Sequence, residues 1–534
     1  VNALQWLTAL MPVLSVAVLL VALRMPASRA MPLALLVTIV LTLVVWQVPG
    51  VVVGGAVVEG LIIASSVVWI VLGAIALLYT MQASGGVDAI RSEFQVLSAD
   101  SRVQALLVGY LFVCFIEGAA GFGTPAPVAA PLLIALGFPA LPAVALTLIA
   151  DVSAVTFGAV GTPILVGIAQ GIGLDPTIPA DYEALREITL TNVTMDMGIG
   201  IVLPLAMMWL VTTKFAAHKS RKAFTEVVPL AVVAALSYSI PAWLATRFIG
   251  IEFGGIIGGL TGMIVMVVLI KTGVLVPKRT WTLSGGYQDA LVAAEPDHGW
   301  PLWKVWGPYL LLTVLLLVSR LVTPVQDALQ GWDLGLADIL GTGLSSTYQP
   351  LYSPGFTFLI VVAVTAVVQG VTRAQARQTA RRVWVSVAGT ALVLAAAVPL
   401  VRVFLNSGDN AAGLLSMPLE LADAASGALG TAWPLAAPFI GALGSFVSGS
   451  ATFSHLMFAE LQLDVATSTG LAPDVVLAQQ IGGANAGNMV CVANVVAVAG
   501  VTGLLGQEGA IIRQTALVMA IYTGLFALAG FALA

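Results

Sequence analysis

Four ionisable residues interrupt apolar runs of this chain: Glu59, Glu117, Asp151 and His455. A charge at membrane depth costs roughly 2.5 to 3.5 kcal/mol on insertion scales, so such residues are functional candidates by default. A carboxyl in a low-dielectric site can carry a proton near neutrality, and an imidazole titrates there without help. Glu117, Asp151 and His455 are therefore the candidate proton-coupling residues. A structural alternative stands beside each: Glu117 could hydrogen-bond broken backbone, Asp151 could be a buried acceptor, and His455 could simply be satisfied within its helix. Glu59 lies near the start of its run and could face the interface. Arg402 ends an apolar run, where snorkelling is preferred over a role as an anion gate.

The acid at Glu117 introduces a segment that should not be a spanning helix. "CFIEGAAGFGTPAPVAAPLL", Cys114–Leu133, places Gly118, Gly121, Gly123, Thr124 and Pro125 within an apolar stretch. Gly and Pro break helices, and open backbone at membrane depth is tolerated only in protein or beside a wet cavity. Free N–H groups at such a break suit an anion. The bland alternative is that the glycines are helix-packing surfaces. "FIEGAAGFGTP" from Phe115 has an echo in "FIGALGSFVSGSAT" from Phe439, and each copy is followed by a second polar interruption, "LIADVSAVTFGAVGTPI" and "QQIGGANAGNMVCVAN". Two such breaks meeting near the midplane would make a small-anion site.

The elements that must position these groups follow from composition. The chain has 534 residues, 59% hydrophobic and 9% charged, which only a polytopic membrane protein accommodates. Its mean hydropathy is +1.03. At roughly 20 residues per crossing, the apolar runs predict an all-α protein with about 12 to 14 transmembrane elements. The first run lacks the basic flank and cleavage site of a signal peptide and reads as a helix. A net charge of −5 spread over so much membrane surface points to no nucleic-acid partner. Cys114 and Cys491 both lie in apolar runs and form no disulfide framework or metal spacing.

Loop charge sets the orientation, because cytoplasmic loops carry the Lys/Arg excess. Lys214–Glu226 and Arg373–Arg382 read as cytoplasmic, and Gly173–Glu187 and Asn406–Asp423 as external. The Arg24–Arg29 loop then puts the N-terminus outside. By this parity the two copies enter from opposite faces, as inverted repeats with broken or re-entrant helices would. The chain divides into a first transmembrane half, 1–212, with its repeat motif at 115–163; central helices and cytoplasmic loops, 213–382; and a second half, 383–534, with its motif at 439–494. Val87, Ile90, Phe94 and Leu97 recur at helical spacing and could form an interfacial amphipathic helix or a plain loop.

"EGAAGFGTP" at Glu117–Pro125, "FGAVGTPILV" at Phe157–Val166, "PFIGALGSFVSGS" at Pro438–Ser450 and "GLLGQEGAIIRQT" at Gly503–Thr515 resemble the bacterial L-lactate permease family, in order and over nearly the full chain. The resemblance implies proton symport of lactate or a related 2-hydroxy monocarboxylate such as glycolate across the cytoplasmic membrane, with no cofactor. It also implies paired re-entrant hairpins and an elevator-like movement. The chain departs from the family pattern at Asp151, at Gly449–His455 and at Gly487–Ala493, where the family has a lysine in place of Asn488. A protonated His455 could restore that charge. The neutral groups expected to contact a carboxylate and a 2-hydroxyl are Gly121, Gly123, Thr124, Ser153, Thr156, Ser448, Ser450, Thr452, Asn485 and Asn488.

A sodium-coupled or differently specific organic-anion transporter is the nearest alternative. Two non-identical copies argue against an ion channel built from symmetric carbonyl rings. The absence of GxxxxGK[ST] excludes ATP drive within this chain, and three scattered histidines cannot build an HExxH metalloprotease site. Glu117 and Asp151 could imitate an aspartyl dyad, but an enzyme is not the expected class. The sequence leaves monomer or homodimer open.

Overall fold

The computed structural model describes every residue except 1, 17, 20–22, 24, 90–96, 122, 177 and 289–298. Ile90 and Phe94 of the expected amphipathic helix, Arg24 of the first loop and His298 fall outside the described residues. Among the described residues, nine helices are long and apolar enough to cross a membrane, or eleven when each of two bent pairs counts as one span. This is below the 12 to 14 expected from apolar runs because Ser28–Val44, Pro125–Ala135 and Pro354–Val368 are apolar but shorter than a full crossing. The loop after Gly254–Thr272 carries a small antiparallel hairpin, Thr280–Thr282 against Gly286–Gln288, in an otherwise helical fold.

Small residues let the helices approach closely, as expected where lipid supplies no hydrophobic drive between them. Gly50–Ser84 packs along Arg373–Leu405, and a Cβ on Gly60 would lie 2.5 Å from the Pro399 backbone. Gly254–Thr272 presents Gly254, Gly255, Gly258, Gly259 and Gly262. A Cβ on Gly259 would lie 2.6 Å from Phe115 Cα, and one on Gly118 would lie 2.7 Å from the Gly255 carbonyl carbon. Two spans are buried nearly throughout, Ser101–Ala119 at 94% and Pro473–Thr502 at 89%, which makes them the centre of the molecule.

Each central region contains a helical hairpin and a broken helix. In the first, the chain leaves Val113–Ala120, turns at Gly121, Gly123 and Thr124 and returns as Pro125–Ala135. Gly109 faces Leu133 across this hairpin. In the second, Ala437–Ser448 turns at Gly449 and Ser450 into Ala451–Thr469, and Gly444 faces Ser454 and Phe458. Ala140–Asp151 is followed by Val155–Gly171 after a 64° bend. Pro473–Gly487 is interrupted before Val492–Thr502.

Hydrogen bonds tie the loops into groups. Buried Arg102 pairs with Asp100 at 2.6 Å and Glu226 at 3.2 Å and donates to the Arg279 carbonyl at 2.8 Å. It thereby joins the start of Ser101–Ala119 to the lysine-rich 214–226 loop. Gln375 donates to the Ala83 carbonyl at 2.8 Å, linking the 369–375 turn to the end of Gly50–Ser84. Elsewhere Trp46 Nε1 donates to the Leu415 carbonyl at 3.2 Å and Ala411 N–H to the Gln47 carbonyl at 3.1 Å. The Tyr182 hydroxyl donates to Glu252 at 2.8 Å and joins Pro179–Ile199 to the short turn Ile251–Phe253.

Candidate functional site

The first hairpin turns only because glycine tolerates left-handed backbone. Gly121 has φ +57° and Gly123 φ +70°. A Cβ on Gly123 would lie 2.6 Å from Asn494 Oδ1. The neighbouring break is more strained: Ala159, Val160 and Gly161 are left-handed in succession, at φ +46°, +61° and +79°. Each non-glycine residue so placed costs roughly 1 to 2 kcal/mol, and such strain clusters where function requires it. The two breaks interlock, since Gly121 lies against the Ala159 backbone and the Glu117 carboxylate fills the space a Gly158 side chain would occupy.

Both hairpin tips and both broken helices face one cavity of about 710 Å³. From the first region it is lined by Glu117, Gly123, Gly158, Ala159 and Thr162. From the second come Ser448, Gly449, Ser450, Thr452, Phe453, Asn488 and Asn494. Glu59, Ser66 and Arg402 line it from Gly50–Ser84 and Arg373–Leu405, and Asp333 and Ser345–Thr347 from the loop that follows the helix Thr323–Gln330. Pro125–Ala135, Ala451–Thr469 and Val492–Thr502 begin at or beside lining residues. Three sets of first-turn N–H groups therefore gather at one place, a favourable setting for an anion.

The expected contact residues divide into two groups. Gly123, Ser448, Ser450, Thr452 and Asn488 line the cavity. The Ser448 hydroxyl is shared between the Gly444 and Ser450 carbonyls at 2.7 and 3.0 Å, and Asn488 Oδ1 accepts from Ser445 at 3.0 Å. Gly121, Thr124, Ser153, Thr156 and Asn485 are not in the lining. Thr124 donates to the Gly121 carbonyl at 2.8 Å and fixes the hairpin turn; Ser153 and Tyr110 share a hydrogen bond of 3.1 Å. Thr156 accepts from Asn485 Nδ2 at 2.7 Å and donates to Asn192 Oδ1 at 3.1 Å, so it fastens the two broken helices together.

Of the expected proton-coupling residues, Glu117 lines the cavity and Asp151 lies directly behind it, the two carboxyls facing one another. Glu117 Oε2 and Asp151 Oδ1 are buried without a partner among the described residues. His455 is fully buried between Ala451–Thr469 and the Val155–Gly171 helix, against Gly167 and Gly171. It does not line the cavity. Among the described residues the cation that does is Arg402, which pairs with Glu59 rather than snorkelling alone to the interface. In the loop that carries Asp333 and Ser345–Thr347, called here the capping loop, N–H groups of Tyr348 and Gly335 hold the Asp333 carboxyl below the usual range. Sequence reasoning missed Asn494 and this capping loop; the Asn494 signal, a polar residue just after the second break, was present.

The family model for L-lactate permease matches residues 5–534 of this chain. An L-lactate permease of Bacillus subtilis is 27% identical over 79% of this chain and 76% of its own length. One from Halalkalibacterium halodurans is 27% identical over 91% and 89%. A glycolate permease of Escherichia coli is 32% identical over 59% of this chain and 55% of its own length. Among solved structures, the YdaH transporter of Alcanivorax borkumensis aligns over 90% of this chain and 87% of its own, at 16% identity and a TM-score of 0.30.

Proposed function

The chain belongs to the L-lactate permease family, and from that premise we propose that this multi-pass bacterial membrane protein is a proton symporter of L-lactate or a related small 2-hydroxy monocarboxylate such as glycolate. The observation that carries the reading is the convergence of two hairpin tips and two broken helices on one cavity. Broken-helix termini at such a site stabilise an anionic group without a dedicated cofactor. Gly123, Ser448, Ser450, Thr452 and Asn488 are its contact groups. Gly121, Thr124, Ser153, Thr156 and Asn485 maintain the shape behind them.

Glu117 and Asp151 are proton-coupling residues that share one proton between them before the acid arrives, because two facing buried carboxylates do not both stay ionised. His455, sealed from the cavity, is an accessory candidate at the contact between the two regions. Inverted topology is supported by how the hairpins are approached: the first from the Arg102–Glu226 end, the second after the loop tied to Trp46 and Gln47. Movement of the hairpins and broken helices as a body past the Gly50–Ser84 and Arg373–Leu405 pair would be elevator-like.

In proteoliposomes, an inward pH gradient should drive accumulation of labelled L-lactate or glycolate, and a protonophore should abolish it. Accumulation that ignores the protonophore and follows sodium would replace the coupling ion. No uptake or counterflow of any 2-hydroxy acid would overturn the substrate.

A further inference from the structure

Arg402 is the one cation among the described residues lining the central cavity, and it is held there by another wall residue. Its guanidinium pairs with one oxygen of Glu59. The other oxygen accepts from Asn406 Nδ2 at 2.8 Å. The Phe453 ring, at the tip of the second hairpin, lies 5.5 Å from the guanidinium, within reach of a cation–π contact. Arg402 Nε is buried and has no partner among the described residues. The side chains are 4% exposed at Glu59 and 15% at Arg402, so neither charge is fully hydrated.

A guanidinium is shaped to take a carboxylate through parallel N–H donors. Here the occupying carboxylate belongs to the protein, beside the hydroxyl-bearing tip Ser448–Thr452. We propose that the pair is a displacement site: the carboxylate of a small hydroxy acid takes the place of Glu59 on Arg402, and Glu59 takes one proton from a hydronium ion in the cavity as it leaves, releasing water. One O–H bond breaks, in hydronium, and one forms, on Glu59. The acid anion and the proton enter together, so pair plus ligand stays neutral before and after binding.

The empty site keeps Arg402 paired, because an unpaired buried charge is costly. Binding the anion without the proton would crowd two carboxylates onto one guanidinium, which protonation of Glu59 relieves. The other titratable groups facing the cavity are Glu117, on the first hairpin, and Asp333, in the 333–347 loop; the proton that Glu117 shares with Asp151 is bound before the acid arrives and does not enter the count. This inference rests on the family reading that the substrate is a small hydroxy acid, and adds the group that recognises its carboxylate.

The test is calorimetric titration of the purified full-length protein with L-lactate and with glycolate, in buffers of different ionisation enthalpy, which counts protons taken up per acid bound. About one proton is expected for the wild type by the charge balance above. Glu59→Gln should bind the acid with that uptake and its pH dependence lost. Arg402→Gln should weaken binding roughly 10- to 100-fold. If Glu59→Gln does not fold, the double substitution Glu59→Gln with Arg402→Gln removes both charges and must show the same weakened binding. Wild-type binding without proton uptake overturns the proposal, as does proton uptake persisting in Glu59→Gln or unchanged affinity in Arg402→Gln. A wild type that binds neither acid overturns the family-based substrate along with it, so the two failures are told apart.

Discussion

Glu117 has two neighbours that define what it can do: the Asp151 carboxyl behind it and the bare Cα of Gly158 beside it. A carboxyl held this closely is either part of the proton path or a plug in broken backbone. Glu117→Gln separates the two, because Gln keeps the shape and loses the exchangeable charge. Gradient-driven uptake is expected to fall roughly tenfold or more, with unfolding stability changed by less than about 1 kcal/mol. Normal uptake with a lowered melting temperature would assign Glu117 to structure instead. Glu117 and Asp151 stood out in the sequence because each interrupts an apolar run. The Arg402–Glu59 partnership did not: the residues are 343 positions apart, Glu59 near the start of one apolar run, where it could face the interface, and Arg402 at the end of another, where snorkelling is physically reasonable.

Glycine does different work at different places in the same motifs. Gly118, Gly441 and Gly444 sit where another element's atoms would meet a Cβ within 3 Å, so they are packing positions. Gly121, Gly123 and Gly449 have positive φ and turn the chain. The motif "GAAGFG" therefore announced a break, but which glycine packs and which turns depends on Gly255 and Ala159, which no local pattern reveals. Helix packing gives a matched pair of tests. Gly259→Val, aimed at the Phe115 backbone, should destabilise the fold by roughly 1 to 3 kcal/mol through overpacking. Gly524→Ala, within Glu508–Leu533 and with open space around it, should be neutral or stabilising by up to about 1 kcal/mol. Thermal unfolding in detergent reads both; equal effects would mean that close helix approach is not what these glycines provide.

At the scale of the whole molecule, charge and geometry bear on orientation independently. The Lys/Arg count assigned the 214–226 and 373–382 loops to the cytoplasm and 406–423 to the outside, while hydrogen bonds join 214–226 to Arg102 and 406–417 to the 45–49 turn. Gly50–Ser84 leads from that turn to Ala83, which is bonded to Gln375. One long helix thus runs between an end assigned outside and an end assigned inside, as the charge rule requires. What charge could not foresee is the capping loop 333–347 over the cavity, because its Asp333 and serines are ordinary for any exposed turn. Sidedness can be tested by single-cysteine labelling, since Cys114 and Cys491 are buried and give little background. A membrane-impermeant maleimide should label Asp409→Cys in intact cells and Lys219→Cys only after permeabilisation. The reverse pattern would invert the molecule and place the 333–347 loop, with the side of the cavity it lines, on the cytoplasmic side.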